Sequence, residues 1–144
     1  MSLQPENSAP CALVREISSS AEAIDTLCHE VRTLLRRLSF PGEVFAVEML
    51  LRESLNNAMV HGHQCDPGKI IRLEITIGGK WIVLRVTDEG GGFDHRKYSI
   101  SVPDPESTRG RGLVIYSLYA HRFSFNSTGN EVCLWRAVTG DERS

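Results

Sequence analysis

The chain has 144 residues, of which 41% are hydrophobic and 24% are charged, and its formal net charge at pH 7 is −2. A chain of this length can bury one core of ordinary size, so we predict a single domain. The small negative charge provides no general attraction to nucleic acid or to acidic membranes. We therefore expect neither of these as a direct partner.

The ends of the chain and its cysteines are used to predict the limits of the domain and the cellular compartment of the protein. We predict a flexible leader at residues 1–10, a single domain at 11–140 and a tail at 141–144. No segment approaches the roughly 20 apolar residues of a membrane helix, and residues 1–10 lack the basic and apolar parts of a signal peptide. The four cysteines have no CxxC spacing, which favours reduced thiols. Together these features predict a cytoplasmic protein.

The domain is predicted to begin with a strand and a helix. Residues 11–17 have the composition of a strand, and the serines at 18–20 are candidate caps for the helix that follows. From Ala21 to about Leu38, apolar residues recur at steps of three and four, which is the period of an amphipathic helix. Pro41-Gly42 then ends the helical pattern.

A second helix is predicted from about Glu43 to His61, with an apolar stripe along one side. Its polar residues are the more informative ones. Glu53, Asn57 and His61 are spaced four residues apart, so a continuous helix would place their side chains along one edge. This edge is a candidate functional site.

A hairpin follows the second helix. Apolar and polar residues alternate between 71 and 77, which indicates a half-buried strand, and Gly78-Gly79 supplies a tight turn. The returning strand is predicted from Trp81 to Asp88, and the alternation turns Asp88 toward the apolar face. Because a carboxylate is costly there without a partner, Asp88 is a candidate ligand-binding residue.

The remaining sequence begins with a long irregular segment. Residues 89–109 are rich in glycine, proline, serine and charge, and their length indicates a functional loop or a mobile lid. Gly110-Arg111-Gly112 closes this segment before a helix predicted from about Leu113 to Ala120. Two final strands, 122–127 and 130–138, are predicted to form a second hairpin. This order of elements predicts an α+β fold, a two-layer sandwich with helices on one face of a mixed, mostly antiparallel sheet.

If the second helix packs over the apolar face of the sheet, its polar edge meets the end of the first hairpin and the glycines at 110–112. A carboxylate and an amide one helical turn apart suit magnesium, which prefers oxygen ligands and also takes water and substrate phosphate oxygens. Asn57 is the candidate ligand, which leaves Glu53 to act as a base. Asp88 would accept a hydrogen bond from an exocyclic amine, such as that of adenine.

Phosphate groups would bind near the third predicted helix. Glycines at 90–92 and at 110–112 let the backbone approach a ligand closely. A helix start near Leu113 would offer free N–H groups and a positive dipole end to phosphate, and Arg109 and Arg111 would add positive charge.

Three segments together resemble the N, G1 and G2 boxes of the GHKL ATPases, a class named after gyrase, histidine kinases and MutL. They are ESLNNAMVHG at 53–62, DEGGGF at 88–93 and GRGL at 110–113. Their order and spacing both match, and the similarity covers roughly residues 11–138. The short chain, and the N box that continues into His61-Gly62, most resemble the anti-sigma-factor serine kinases. This resemblance implies the Bergerat-type ATP-binding fold.

The resemblance implies a role for each matched residue. Asn57 would ligate the magnesium ion that bridges the ATP phosphates, Asp88 would bind the adenine amino group, and Glu53 would orient or deprotonate a serine hydroxyl. The predicted nucleotide-binding residues are Asn57, His61, Asp88, Gly90, Gly92, Arg109, Gly110, Arg111, Gly112 and Leu113. Two roles stay open: contact of His61 with phosphate, and that of Asn130, where many relatives have a threonine near the nucleotide.

The function implied by the resemblance is a serine kinase that binds ATP and Mg²⁺, phosphorylates an antagonist (anti-anti-sigma) protein and sequesters a sigma factor or similar regulator. The family is often dimeric, so we expect a homodimer. Two alternatives remain open at this stage. One is a nucleotide-dependent binding module without kinase activity, and the other is a stand-alone histidine-kinase-like ATPase domain.

Overall fold

The computed structural model describes residues 11–62, 68–89 and 108–138. Within these ranges three α-helices and five strands form two layers, so the predicted α+β sandwich is confirmed. The elements are β1 (Cys11–Ser18), α1 (Ala21–Arg37), α2 (Val44–Asn57), β2 (Ile70–Gly78), β3 (Trp81–Asp88), α3 (Thr108–Tyr119), β4 (Arg122–Phe125) and β5 (Glu131–Ala137). A 3₁₀ turn at Pro41–Glu43 precedes α2, and a π-helical segment at Ala58–Gly62 follows it.

The sheet has the strand order β1-β2-β3-β5-β4, and each of these pairings is antiparallel. The expectation of a mixed sheet is therefore wrong for the described strands. Two of the four pairings are the predicted hairpins, and the other two, β1 with β2 and β3 with β5, are antiparallel as well. Gly79 and Gly129 have φ values of 58° and 80°, the left-handed conformation that tight turns require, so hairpins join β2 to β3 and β4 to β5.

The core lies between one face of the sheet and the three helices. Ile71, Leu73 and Ile75 of β2 are fully buried there, as are Leu51 and Leu55 of α2. Each such side chain contributes about 1.5–3 kcal/mol by leaving water. Helix α2 packs against both α1 and α3, so it is the central helix of its layer. Within the described ranges, no helix has the length and apolar character needed to span a membrane.

Both ends of α1 are closed by specific hydrogen bonds. Among the three candidate caps, Ser20 is the N-cap, and its Oγ accepts a hydrogen bond from the Ala23 N–H at 3.2 Å. At the other end, Phe40 N–H donates to Leu35 O at 2.8 Å, while Ser39 has a φ of 68°. This pattern is a Schellman motif with serine in the left-handed position that glycine usually occupies.

Two helix limits differ from those predicted from the sequence. Helix α2 ends at Asn57, and the chain continues to Gly62 as a π-helical segment instead of a further α-helical turn. This segment keeps Ala58 buried and packs Met59 against the core. Helix α3 begins at Thr108 instead of near Leu113, so the two glycines of the G2-like segment lie inside the helix.

Candidate functional site

The contact between α2 and α3 is the centre of the candidate site. A Cβ atom added to Gly112 would lie 2.8 Å from Asn57 Nδ2 and 2.8 Å from Glu53 Oε2. Cβ atoms essentially never come so close to other heavy atoms. Because Gly112 has no side chain, α3 can lie directly against these two polar groups. The structure thus brings together two of the three segments that were predicted to meet, the one at 53–62 and the one at 110–113.

The two glycines inside α3 weaken that helix. Glycine in a helix interior costs roughly 1 kcal/mol relative to alanine. At Gly112 this cost has a clear reason in the close approach to Glu53 and Asn57. The early helix start also corrects one expectation. The unpaired N–H groups of a helix belong to its first turn, which here begins at Thr108 and not at Leu113. Leu113 instead places its side chain in the core.

The amide of Asn57 has two differently placed ends. Its Nδ2 donates a hydrogen bond to the hydroxyl of Tyr116 at 3.3 Å. Its Oδ1 is shielded from solvent and has no hydrogen-bond partner among the described residues. A buried acceptor without a partner costs about 1–3 kcal/mol, and such groups in native proteins commonly mark an ion, a water or a functional role.

This donor set fits a magnesium ion. An amide oxygen is a ligand that Mg²⁺ accepts, usually together with waters and phosphate oxygens. Asn57 Oδ1 is such an oxygen, and the Glu53 carboxylate lines the same small space beside Gly112. For a magnesium ion, Asn57 would supply one protein ligand and leave other positions for water and phosphate.

Asp88 lies at the end of β3, directly opposite Ile71 of β2. Since residues opposite one another share a face of a sheet and Ile71 is fully buried, Asp88 lies on the core-facing side, as the alternation predicted. The end of α2 continues into the π-helical segment, which packs against β3. Asp88 itself is half-buried.

Asn130 holds the backbone at Asp88. The Asp88 N–H donates to Asn130 O at 2.9 Å, and Asn130 Nδ2 donates to Asp88 O at 3.1 Å. Asn130 Oδ1 in turn accepts from Asn126 Nδ2 at 2.6 Å and from Thr128 Oγ1 at 2.7 Å. The Asn130 side chain, whose role the sequence left open, therefore connects the β4–β5 loop to the end of β3 by hydrogen bonds.

The same loop makes the second hairpin's strands shorter than predicted. Asn126 Oδ1 accepts hydrogen bonds from the N–H groups of Gly129 and Glu131, at 2.8 and 3.2 Å. These bonds close a compact loop before β5 begins. A side chain that hydrogen-bonds nearby backbone competes with strand pairing, which the alternation pattern does not reveal.

Helix α3 is held at its far end by residues that the sequence did not single out. Arg136 of β5 forms an ion pair with the buried Glu43, just before α2, and its Nη1 donates to Tyr119 O at 2.7 Å. The ring of Tyr116 packs against Phe123 and Phe125, with centroid distances of 5.6 and 6.4 Å. These contacts fix α3 relative to both α2 and the sheet.

Sequence spacing does contain a signal for Tyr116. It follows Gly112 by four residues, so both lie on one face of α3, one turn apart. That face is the one directed at Asn57.

Several predicted site residues lie beyond what the structure describes. Gly90 and Gly92 are outside the described ranges. Arg109, Gly110 and Arg111 belong to the first turn of α3, and His61 belongs to the π-helical segment, but the side chains of His61, Arg109 and Arg111 are outside the described part. Their contacts with a nucleotide stay predictions.

The two-layer fold, with a polar helix end held against a glycine-containing helix, agrees with the class of ATP-binding domains that the sequence segments indicated. Comparison with protein families agrees. Residues 17–136 match the family model described as "Histidine kinase-like ATPase domain", and the chain belongs to this family. The predicted recognition of the GHKL class is thereby confirmed, and membership implies that the chain binds ATP.

Within this family, the chain is similar to two curated proteins that are both anti-sigma F factors. The anti-sigma F factor of Anoxybacillus flavithermus is 25% identical over 93 residues, which are 62% of this chain and 64% of the relative. The anti-sigma F factor of Clostridium perfringens is also 25% identical over 93 residues, covering 62% of this chain and 66% of the relative. The matched region thus spans a little less than two thirds of the length of these curated relatives.

Proposed function

We propose that the chain is a protein serine kinase of the anti-sigma-factor type. It would bind magnesium ATP, phosphorylate a serine of an antagonist (anti-anti-sigma) protein, and sequester a sigma factor or similar regulator in a switch between partners. The observation that carries this proposal is the meeting of Glu53 and Asn57 at Gly112. The similarity to two anti-sigma F factors supports the choice of partner class.

Each polar residue of the site would have a separate role in binding or transfer. Asn57 Oδ1 would hold the metal ion, and Asp88, supported by Asn130, would bind the adenine amino group. When bound, magnesium ATP supplies a γ-phosphoryl group together with a cation that stabilises the charge developing during its transfer. Glu53, one helical turn from Asn57, would orient the serine hydroxyl and accept its proton as the new O–P bond forms and ADP leaves.

Phosphorylation of the antagonist would act as a charge switch. A phosphoserine carries close to two negative charges, so placing it in the interface adds repulsion and desolvation and releases the antagonist. The kinase would then be available to hold the sigma factor. We propose that it works as a homodimer, as its family often does.

The first experiment measures nucleotide binding by calorimetry with Mg²⁺ present. Asn57→Ala and Asp88→Asn are each expected to lower ATP affinity by about tenfold or more, because each removes a polar contact worth about 1.5–3 kcal/mol to a charged or buried partner. Asn56→Ala is the matched control, since Asn56 is the exposed neighbour on the same helix. Absence of ATP binding by the wild type would refute the proposal.

The second experiment separates chemistry from binding. Glu53→Gln keeps the shape of the side chain but cannot accept a proton, so γ-phosphate transfer to a candidate antagonist should fall by about 10²–10⁴ while ATP still binds. The labelled residue is then identified by its acid stability. Acid-labile phosphate would point to histidine and to the histidine-kinase alternative. Partner capture that depends on ATP but needs no transfer would instead support a binding module without kinase activity.

A further inference from the structure

We propose that Tyr116 is a positioning residue for the metal ligand: its hydroxyl holds the Asn57 amide so that Oδ1 is presented to the magnesium ion. This inference rests on the proposed use of magnesium ATP, but it concerns a residue outside the three sequence segments that define the family. It begins from the hydrogen bond of 3.3 Å between Asn57 Nδ2 and the Tyr116 hydroxyl.

The Tyr116 side chain is well suited to fix a neighbour in place. Only 2% of its surface is exposed, and its ring packs against Phe123 and Phe125 at centroid distances of 5.6 and 6.4 Å. A ring packed in this way has few alternative positions, because cores are close-packed. The hydroxyl therefore stands at a defined point beside Asn57.

The direction of the amide matters because its two ends have opposite chemistry. The NH₂ end donates hydrogen bonds, whereas only the oxygen end can bind a cation. Nδ2 and Glu53 Oε2 both lie 2.8 Å from the position of a Cβ on Gly112, so they line the same space. Turning the amide over would place Oδ1 next to the Glu53 carboxylate, where two oxygens repel each other. A tyrosine hydroxyl can accept or donate, so the Glu53 carboxylate selects the orientation with Nδ2 toward this space, and the Tyr116 hydroxyl holds the amide there by accepting from Nδ2.

The opposite end of the amide is the one that needs a partner. Oδ1 is shielded from solvent and makes no hydrogen bond within the described ranges. An acceptor held in that state is ready for a cation without first breaking a hydrogen bond. Preorganised ligands of this kind improve affinity because ordering them adds no cost when the metal binds.

Helix α3 would thus act on Asn57 at two successive turns. Gly112 gives the amide the room that it occupies, and Tyr116 holds its Nδ2 end in place beside the Glu53 carboxylate. The position of α3 therefore controls whether Asn57 Oδ1 is oriented toward the magnesium ion. This links the helix that carries the G2-like segment to metal affinity through one hydrogen bond.

The contact itself is tested without nucleotide or metal. The side-chain NH₂ signals of Asn57 are followed by NMR in wild type, Tyr116→Phe and Tyr119→Phe. Tyr119 is the matched control on the same helix, because its hydroxyl makes no hydrogen bond within the described ranges and its ring packs against Phe45. We expect Tyr116→Phe to shift the Asn57 signals and speed their exchange with water, and Tyr119→Phe to leave both unchanged.

The role in metal binding is tested by comparing ATP affinity in Mg²⁺ and in EDTA. Tyr116→Phe is expected to reduce the enhancement by Mg²⁺ about three- to tenfold, the effect of one hydrogen bond, and to leave the affinity in EDTA unchanged. In an Asn57→Asp background both ends of the side chain are oxygens. There Tyr116→Phe should no longer change the enhancement, which distinguishes orientation of the amide from a general loss of packing.

The outcomes separate this inference from the proposed function. If wild type shows no enhancement by Mg²⁺, the proposed use of magnesium ATP is wrong, and the inference falls with it. If wild type shows the enhancement and Tyr116→Phe retains it fully, only the inference is wrong. Equal losses with and without the Asn57→Asp substitution, or unchanged NMR signals in Tyr116→Phe, would likewise overturn the inference and leave the proposed function intact.

Discussion

The two sides of helix α2 are built in opposite ways. Toward α1, Glu48 accepts hydrogen bonds from Arg32 at 2.9 Å and from Arg52 at 3.0 Å, and Arg52 also reaches Asp25 at 2.7 Å. All four of these charged groups have a partner of opposite charge. Toward α3, a glycine lies against two polar side chains, and one amide oxygen has no partner among the described residues.

From this difference we infer that the α1 contact serves stability and that the α3 contact belongs to the proposed site. At the α1 contact, burial alone would raise the pKa of Glu48, but the hydrogen bonds from Arg32 and Arg52 outweigh it and lower that pKa. A lowered pKa means that the folded state favours the charged carboxylate. The α3 contact instead retains a glycine in a helix and an acceptor, Asn57 Oδ1, that has no hydrogen-bond partner within the described ranges; both features reduce stability. Such features are retained where a ligand needs them.

The largest effect that would test this contrast is expected from Gly112→Ala. The new methyl group would push Glu53 and Asn57 away from their positions, so ATP affinity should fall about tenfold or more, which is at least about 1.4 kcal/mol. The stability of the fold should change little, because alanine favours the helix and offsets the strain. Calorimetry for binding and thermal unfolding for stability measure the two effects.

Gly42→Ala is the matched control for this substitution. Nothing lies within 4 Å of a Cβ at Gly42, so ATP affinity should stay at the wild-type value. Equal ATP binding by wild type and Gly112→Ala would show that the α2–α3 contact is ordinary packing.

A smaller effect, on stability alone, is expected from Glu48→Gln at the α1 contact. Replacing the carboxylate weakens its bonds to Arg32 and Arg52, and the loss should be about 1 kcal/mol at pH 7, because the pairs are partly exposed to solvent. ATP affinity should not change. Denaturant unfolding measures the stability, and a loss of ATP binding in this variant would contradict the division between the two sides of α2.

The effect of Glu48 should also depend on pH. Because its folded pKa is lowered, its contribution is fully present above the pKa of an unfolded glutamate and disappears as pH falls through the folded pKa. The stability difference between wild type and Glu48→Gln should therefore be constant near neutral pH and shrink in acid. A difference that stays the same at acidic and neutral pH would show that the carboxylate charge is not its source.

The smallest effect is expected from Ser39→Gly at the end of α1. Ser39 has a φ of 68°, a conformation that glycine adopts without strain. After allowing for the greater freedom of glycine in the unfolded chain, we expect a gain of about 0.5 kcal/mol in the free energy of unfolding. Chemical denaturation measures this gain, and ATP affinity should be unaltered. A loss of stability would mean that the Ser39 side chain makes a compensating contact.

Much of the fold was predictable from local pattern. The alternation in β2 and β3, the glycine turn between them and the serine cap of α1 each follow from residues close together in sequence. The limits of α2 and α3 were not predictable in this way. A glycine near the start of a helical pattern normally indicates an end, and only the contact of Gly112 with Glu53 and Asn57 shows why α3 has a glycine in its interior.

The same division applies to the candidate site. Glu53, Asn57 and Asp88 could be selected from sequence because their residue types and order match a known set of segments. The roles of Asn130 and Tyr116 could not be assigned in this way, because each depends on a partner that lies 42 or 59 residues away in the chain. Such contacts form only after the strands have paired and the helices have packed.

By itself, the sequence determined the class of fold and the family, and it supplied the candidate nucleotide-binding residues, since these depend on local periodicity and on short segments. The tertiary structure decided which of those residues meet and which way the Asn57 amide points. That decision depends on the packing of α3 against α2, where the absence of one side chain at Gly112 and the presence of one hydroxyl at Tyr116 define the space and its direction. The four-residue spacing of Gly112 and Tyr116 places both on one face of α3, but the residues that this face contacts are decided only when the fold brings the two helices together.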